Sequence, residues 1–212
     1  MLTLKSREME REVLAAAVAG IVRDGGVVIF PTDTVYGIGC NPASKRSVDR
    51  IYAAKSRSRE KPLSLHFATV EELLEYARGN AMAERAARRF LPGPLTVIVS
   101  RPASVPAFVT GGLPTVGLRA PKHALCRAIL EASGPLAATS ANYSGASAFA
   151  GGGAVTNLPA ADVFVDDGPT PLGAESSVID VSGEKPRLVR EGAIGAAMLE
   201  DVLGPFEGRN GR

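Results

Sequence analysis

Lys55 and Arg57 stand two residues apart behind a run of helical spacing, and Lys61 follows four residues later. A lysine ammonium is a compact charge and an arginine guanidinium a planar fork, so the set suits a polyphosphate. A solvated basic helix face would use the same residue types. Thr32-Asp33-Thr34-Val35-Tyr36 puts three hydroxyls and one carboxylate in five residues, directly after an apolar run. Open α/β sheets bind small polar ligands at such strand ends, although the segment can also close on its own backbone as an Asx-type turn. Arg119 ends the apolar stretch Val116-Gly117-Leu118, and a cation there needs a carboxylate or a bound anion. Thr139-Ser140-Ala141-Asn142 opens a glycine-rich loop, where small side chains let the backbone approach a ligand. Ser176-Ser177 precede a Val-Ile-Asp run, and Arg190-Glu191-Gly192 follow the last apolar run. His66 lies inside an apolar segment and, taken alone, reads as a satisfied core histidine.

Familiar catalytic motifs are missing. There is no GK[ST] for a Walker loop, and Gly37-x-Gly39 meets Pro42 where a dinucleotide fingerprint has glycine. Neither GxSxG nor HExxH occurs, and the two histidines, His66 and His123, are not placed with a serine and an aspartate. Cys40 and Cys126 are too few for a disulfide framework and form no zinc spacing.

The elements that must hold these residues alternate early and cluster late. Val13, Leu14, Ala17, Val18, Ile21 and Val22 follow the i, i+3, i+4 spacing of a helix covering the first 26 residues, with Gly25-Gly26 as its stop. Residues 27–30 are a short β-branched strand closed by Pro31. Ser44 caps a helix carrying Val48, Ile51 and Tyr52, and Thr69-Val70-Glu71-Glu72 is a capping box for another. Residues 81–90 and 123–133 read as helices, and residues 63–67, 96–100, 116–119 and 135–139 as strands. Three further strands, at DVFVD, SVIDV and PRLVR, precede a last helix near residues 196–203. This order predicts an α/β (α+β) fold: a twisted, mixed open sheet flanked by helices, in one domain spanning residues 1–212.

The charge is +2 overall, from 24 basic and 22 acidic residues, and the average hides an asymmetry. Residues 45–61 hold seven bases against two acids, whereas between Arg127 and Lys185 there are seven acids and no base. The first stretch can attract an anion and the second cannot. The apolar share of 45% supports a real core, and no run reaches the ~20 apolar residues of a membrane span. The acidic N-terminal stretch does not suit a signal peptide, which points to a cytoplasmic protein.

In this order, PTDTVYGIGC, KSR with the following KPL, LPGPLTVIV, TVGLRAP, the Ser-Ala-Asn of TSAN, ESSVID and VREGAI resemble the blocks of the YrdC family of threonylcarbamoyl-AMP synthases. The resemblance covers residues 25–194 and seven collinear blocks. It implies a YrdC-like sheet with a large, concave, positively lined cavity. It further implies condensation of L-threonine, bicarbonate or CO₂, and ATP to threonylcarbamoyl-AMP and pyrophosphate. The product would pass to a transferase complex that modifies the adenosine beside the anticodon of tRNA, with tRNA met indirectly or weakly.

Carried over by position, Lys55, Arg57 and Lys61 hold phosphates, with Lys55 and Arg57 as the catalytic pair. Thr115, Thr139, Ser140, Asn142 and Arg190 contact ATP. Thr34, His66, Arg119 and Ser177 form the L-threonine pocket, with Arg119 on the carboxylate. Mg²⁺ rides on the phosphates, and no metal ligand is assigned to the protein. The chain's end at Arg212 resembles the short form of the family. An RNA-binding module of the same fold and a paralogue without synthase activity are the alternatives. Intact Lys55-Ser56-Arg57 and Ser140-Ala141-Asn142 argue against the paralogue, and the lack of an aromatic stacking platform argues against RNA.

Overall fold

Residues 1–152 and 155–207 are described by a computed structural model, so Gly153 and Ala154 of the glycine-rich loop lie outside the described residues. The apolar runs form strands at Val28–Phe30 (β2), Ser64–His66 (β4), Leu95–Ser100 (β5), Thr115–Arg119 (β6), Leu136–Ser140 (β7), Val163–Asp166 (β8), Ser177–Asp180 (β9) and Arg187–Arg190 (β10). Two strands escape sequence reasoning: Leu2–Lys5 (β1) and Gly37–Cys40 (β3). Glycine is a poor strand former, but a Cβ at Gly37 or Gly39 would come within 3.0 Å of the Phe30 ring. Packing against that ring, not propensity, makes β3.

The helices are Arg11–Arg23 (α1), Lys45–Ala54 (α2), Val70–Tyr76 (α3), Ala81–Phe90 (α4), Ala124–Ser133 (α5) and Ala196–Leu203 (α6). Helix α1 starts later than expected because β1 occupies the N-terminal end. Its buried stripe is Leu14, Ala15, Val18, Ala19 and Val22, while Val13 and Ala17 face solvent. Side chains of Ser44, Thr69, Asn80 and His123 accept from the first turns of α2, α3, α4 and α5, the Ser, Thr and Asn caps each contributing about 1 kcal/mol.

All ten strands of the described residues join one sheet in the order β1-β8-β2-β3-β7-β4-β6-β5-β9-β10. Four pairings are parallel and five antiparallel, which makes it the mixed sheet expected. One face packs Ile29, Ile38, Leu65, Val97, Leu118 and Ile179 against residues of α2, α3, α4 and α6. On the other, α1 and α5 pack over Val28, Phe30, Leu136, Ala138, Val163 and Val165, hence over β2, β7 and β8. Across β4, β6, β5 and β9 this second face is bordered by strand ends and loops, and there a cavity opens. Cys40 and Cys126 are buried and free. No helix among the described residues is long and apolar enough to cross a membrane.

Candidate active site

The strand register assembles the site. His66 lies opposite Arg119 across β4 and β6. Val97 opposes Leu118 across β5 and β6, which brings Thr96 level with Arg119. Thr96 in turn opposes Val178, and Val178 opposes Arg190. Side chains alternate along a strand, so His66, Arg119, Thr96, Val178 and Arg190 present one rung to the concave face. Ser64, Gly117 and Ile98 form the next rung. Together with the loops after β2, α2 and β7 they enclose a cavity of about 670 Å³. Five cationic side chains (Lys55, Arg57, Lys61, Arg119, Arg190) and two carboxylates (Glu60, Glu175) line it.

Most of these cations already hold protein groups. Lys55, 1% exposed, donates to the carbonyls of Ser140 and Asn142, and its own carbonyl accepts from Ser144 N at 3.2 Å. It therefore ties the end of α2 to the Ser-Ala-Asn loop, with one of its three N–H groups left over. Burial, with Arg57 beside it, lowers its pKa from 10.5 to about 8. Ser56, between the two cations, has φ of +49°, a strained conformation for a side-chain-bearing residue of the kind found at functional sites. Arg57 donates from Nε to Lys61 O at 2.8 Å and from Nη2 to Pro62 O at 3.2 Å, shaping the next loop. Its pKa too is lowered, chiefly by burial. Arg190 Nη1 meets Glu175 Oε1 at 2.8 Å, while its Nε and Nη2 donate to Ser176 O at 3.1 and 2.9 Å.

At the other end, the Thr32–Val35 turn closes on itself and on Arg119. Arg119 Nη2 donates to Asp33 Oδ1 at 2.5 Å and to Thr34 Oγ1 at 2.8 Å. Thr32 donates to Val35 O at 2.7 Å, so Thr34, 3.0 Å from Thr32 Oγ1, supplies the hydrogen between the two threonines. Burial lowers the Arg119 pKa against the opposing pull of Asp33. His66, edge-on to Phe30, is held neutral, its pKa lowered to about 3 by burial and by Arg119. Among the described residues, four buried side-chain atoms lack a hydrogen-bond partner: Asp33 Oδ2, His66 Nδ1, Arg119 Nε and Asn142 Oδ1. Unpaired buried polar atoms are costly, and here three belong to cavity-lining residues and the fourth to Arg119's partner. Such a cluster marks a place where a polar ligand completes the hydrogen bonding.

Of the twelve residues named from the sequence, nine line the cavity: Lys55, Arg57, Lys61, His66, Arg119, Thr139, Ser140, Asn142 and Arg190. Three do not. Thr34 is fully buried and holds Arg119 from behind. Ser177 Oγ donates to Ile194 O at 2.6 Å and accepts from Gly192 N and Ile194 N at 2.9 and 3.0 Å. That fills a hydroxyl's capacity, so its neighbour Ser176 faces the cavity instead. Thr115 pairs with Ser100 at the far end of β6, beyond the last lining residue, Gly117. The basic stretch divides as well. Lys45 and Arg59 pair with Asp49 at 2.7 and 2.6 Å, and Arg50 pairs with Asp162 at 2.8 Å. Glu175, from the stretch that cannot attract an anion, nonetheless lines the cavity.

Sequence reasoning missed Ser64, Thr96 and Glu175, and of the Ser176-Ser177 pair it gave a role to Ser177 alone. Period-two alternation within SLH and LTVIVS places Ser64 and Thr96 on the face opposite the core residues, and this was the available signal.

A mixed sheet whose uncovered face carries a cation-lined cavity with orphaned polar atoms defines an α/β protein built to bind a small anionic or zwitterionic ligand. The chain belongs to the Sua5/YciO/YrdC family, whose model, described as Telomere recombination, matches residues 20–192. It is 39% identical over 202 residues to the threonylcarbamoyl-AMP synthase of Pyrococcus abyssi, covering 93% of this chain and 59% of that protein. It is likewise 39% identical over 197 residues to the Bacillus subtilis protein of the same name, covering 90% of this chain and 57% of that one. The chain thus spans under two thirds of these relatives' lengths. The solved structure of P. abyssi Sua5 complexed with L-threonine superposes with a TM-score of 0.86 at 36% identity, covering 97% of this chain and 61% of that one.

Proposed function

We propose that the chain condenses L-threonine, bicarbonate or CO₂, and ATP to threonylcarbamoyl-AMP and pyrophosphate. The observation that carries this reading is the clustering at one cavity of polyphosphate-type cations and orphaned polar atoms, in a chain 36% identical to a Sua5 solved with L-threonine. Arg119, held by Asp33 and Thr34, takes the amino-acid carboxylate. His66, kept neutral, faces the amine without repelling it. The amine lone pair forms the N–C bond to CO₂, and a proton leaves to solvent. A carbamate oxygen then attacks the α-phosphorus, and the bond to the β-phosphate oxygen breaks to release pyrophosphate.

Lys55, Arg57, Lys61 and Arg190 face the triphosphate, and Thr139, Ser140 and Asn142 face the nucleoside. The protein's contribution is orientation and charge neutralisation. Magnesium takes oxygen ligands and keeps several waters. Glu60 and Glu175 are the cavity's carboxylates, and no cluster of three acidic, histidine or cysteine ligands occurs among the described residues. This donor set suits an ion carried on the triphosphate, whose charge it would offset, with Glu60 as the available protein oxygen.

The product serves threonylcarbamoylation of the adenosine beside the anticodon of tRNA, through a transferase complex in the cytoplasm. The test is pyrophosphate release that requires both L-threonine and bicarbonate. ATP turnover indifferent to either one sinks the reading.

A further inference from the structure

Thr96 and Ser176 line the cavity beside Arg119, yet none of the roles above uses them. Thr96 is 8% exposed and Ser176 4%, and their hydroxyl oxygens lie 3.0 Å apart. Thr96 shares a rung with Arg119 on the adjoining strand, a cross-strand spacing of about 5 Å. On the other flank of Arg119 stands His66. Arg190 Nη2 donates to Ser176 Oγ at 3.3 Å, which leaves Ser176 one hydrogen and one lone pair for Thr96: where Ser176 gives the hydrogen, Thr96 keeps its own for the cavity, and where Thr96 gives it, Thr96 offers the cavity an acceptor. The floor beside it is shallow, since a Cβ at Gly117 would lie 3.1 Å from Thr96 Cγ2 and 3.2 Å from Ser64 Cβ. Next to the carboxylate-binding guanidinium there is therefore a short trough with one hydroxyl held in place by Ser176.

We infer that Thr96 selects the side chain of the amino-acid substrate: it forms a hydrogen bond with a β-hydroxyl, while the Ser64–Gly117 floor admits a small β-branched group. The inference rests on the synthase reading and adds a specificity-determining residue to it. Ser176 is the positioning residue that directs the Thr96 hydroxyl, and His66 is left to the amine.

The experiment compares L-threonine with L-valine, the same shape without the hydroxyl, on wild type, Thr96→Val, Thr96→Ser and Ser176→Ala. Calorimetry reads binding of each amino acid, and pyrophosphate release reads kcat and KM. Wild type is expected to prefer threonine. Thr96→Val should cut that preference about 10- to 100-fold, as loss of one buried hydrogen bond does, by raising the KM for threonine and leaving that for ATP unchanged. Thr96→Ser should keep the preference.

Thr96→Val weakening both amino acids by one factor, or leaving the preference intact, overturns the inference alone. If that variant does not fold, Ser176→Ala decides: a preference reduced about 3- to 10-fold supports the inference, and an unchanged one overturns it. A wild type that binds neither amino acid overturns the synthase reading and this inference with it.

Discussion

Replacing Asp33 by asparagine should weaken the fold and, in the same variant, strengthen its response to L-threonine. The Asp33–Arg119 pair is the most deeply buried ion pair among the described residues, with side chains 5% and 6% exposed and 2.5 Å between Oδ1 and Nη2. Removing one member of a buried pair costs about 3–5 kcal/mol, because the partner's charge is left uncompensated. Asparagine keeps an acceptor oxygen, and Arg119 keeps its bond to Thr34 at 2.8 Å, so the low end, about 3 kcal/mol, is expected. For a chain of this size that lowers Tm by about 6–12 °C.

A substrate carboxylate placed on Arg119 would supply the missing negative charge. Threonine at 100 times its Kd stabilises a native protein by about 2.7 kcal/mol, and tenfold tighter binding would add about 1.4 kcal/mol. The variant should thus regain about half of its loss when threonine is present. The assay is urea and thermal unfolding with and without L-threonine, at fixed protein concentration. A loss below about 1 kcal/mol would show that the pair is not what holds Arg119. A threonine-induced rise in Tm no larger than that of wild type would refute the placement of the carboxylate.

Arg119→Ala should raise the KM for threonine more than about thirtyfold with little change in the KM for ATP, measured by pyrophosphate release; equal effects would place Arg119 elsewhere. Lys55 has a folded pKa of about 8 against the ordinary 10.5, so above pH 8 the unfolded chain holds more protons and the Lys55 contribution to stability rises with pH up to about 10.5. Urea midpoints of Lys55→Met should lack that rise, and wild-type kcat/KM for ATP should fall as the ammonium deprotonates above pH 8. His66, neutral down to about pH 3, favours a fold that weakens as pH falls from 6.5 toward 3, by up to about 1.4 kcal/mol per pH unit; His66→Gln should flatten the acid limb of the stability profile. Ser177→Ala should cost about 2–4 kcal/mol in denaturant unfolding, since it strands two N–H donors and one carbonyl, while the KM values of the folded variant stay near wild type.

The elements were legible where apolar spacing was clean. Residues 81–90 form α4 as expected, and Ser44 and Thr69 cap their helices as expected. Strand β3 was hidden because its glycines answer to Phe30, and β1 because four residues at a sheet edge carry little periodicity. The seven-base stretch looked like one patch, yet only Lys55, Arg57 and Lys61 reach the cavity. Lys45, Arg50 and Arg59 are held by Asp49 and Asp162, the latter more than 100 residues away. Ser177 enters the threonine pocket by position in the family resemblance alone; in the structure its hydroxyl holds the backbone of Ile194 and its neighbour Ser176 lines the cavity.

By itself the sequence determined the alternation of helices and strands, the residue types a triphosphate and an amino acid require, and the family in which those types recur in order. Those are local properties, read from spacing and chemistry along the chain. Which side chains face one another was decided only by the tertiary structure. His66, Thr96, Arg119 and Arg190 share a rung because four strand pairings set their register, and a one-residue slip would turn any of them to the core face. Tertiary contacts also decided which donors remain for a ligand. Asp33, Thr34, Ser140 and Asn142 occupy part of the capacity of Arg119 and Lys55, and a hydrogen already given to a neighbour is not available to a substrate.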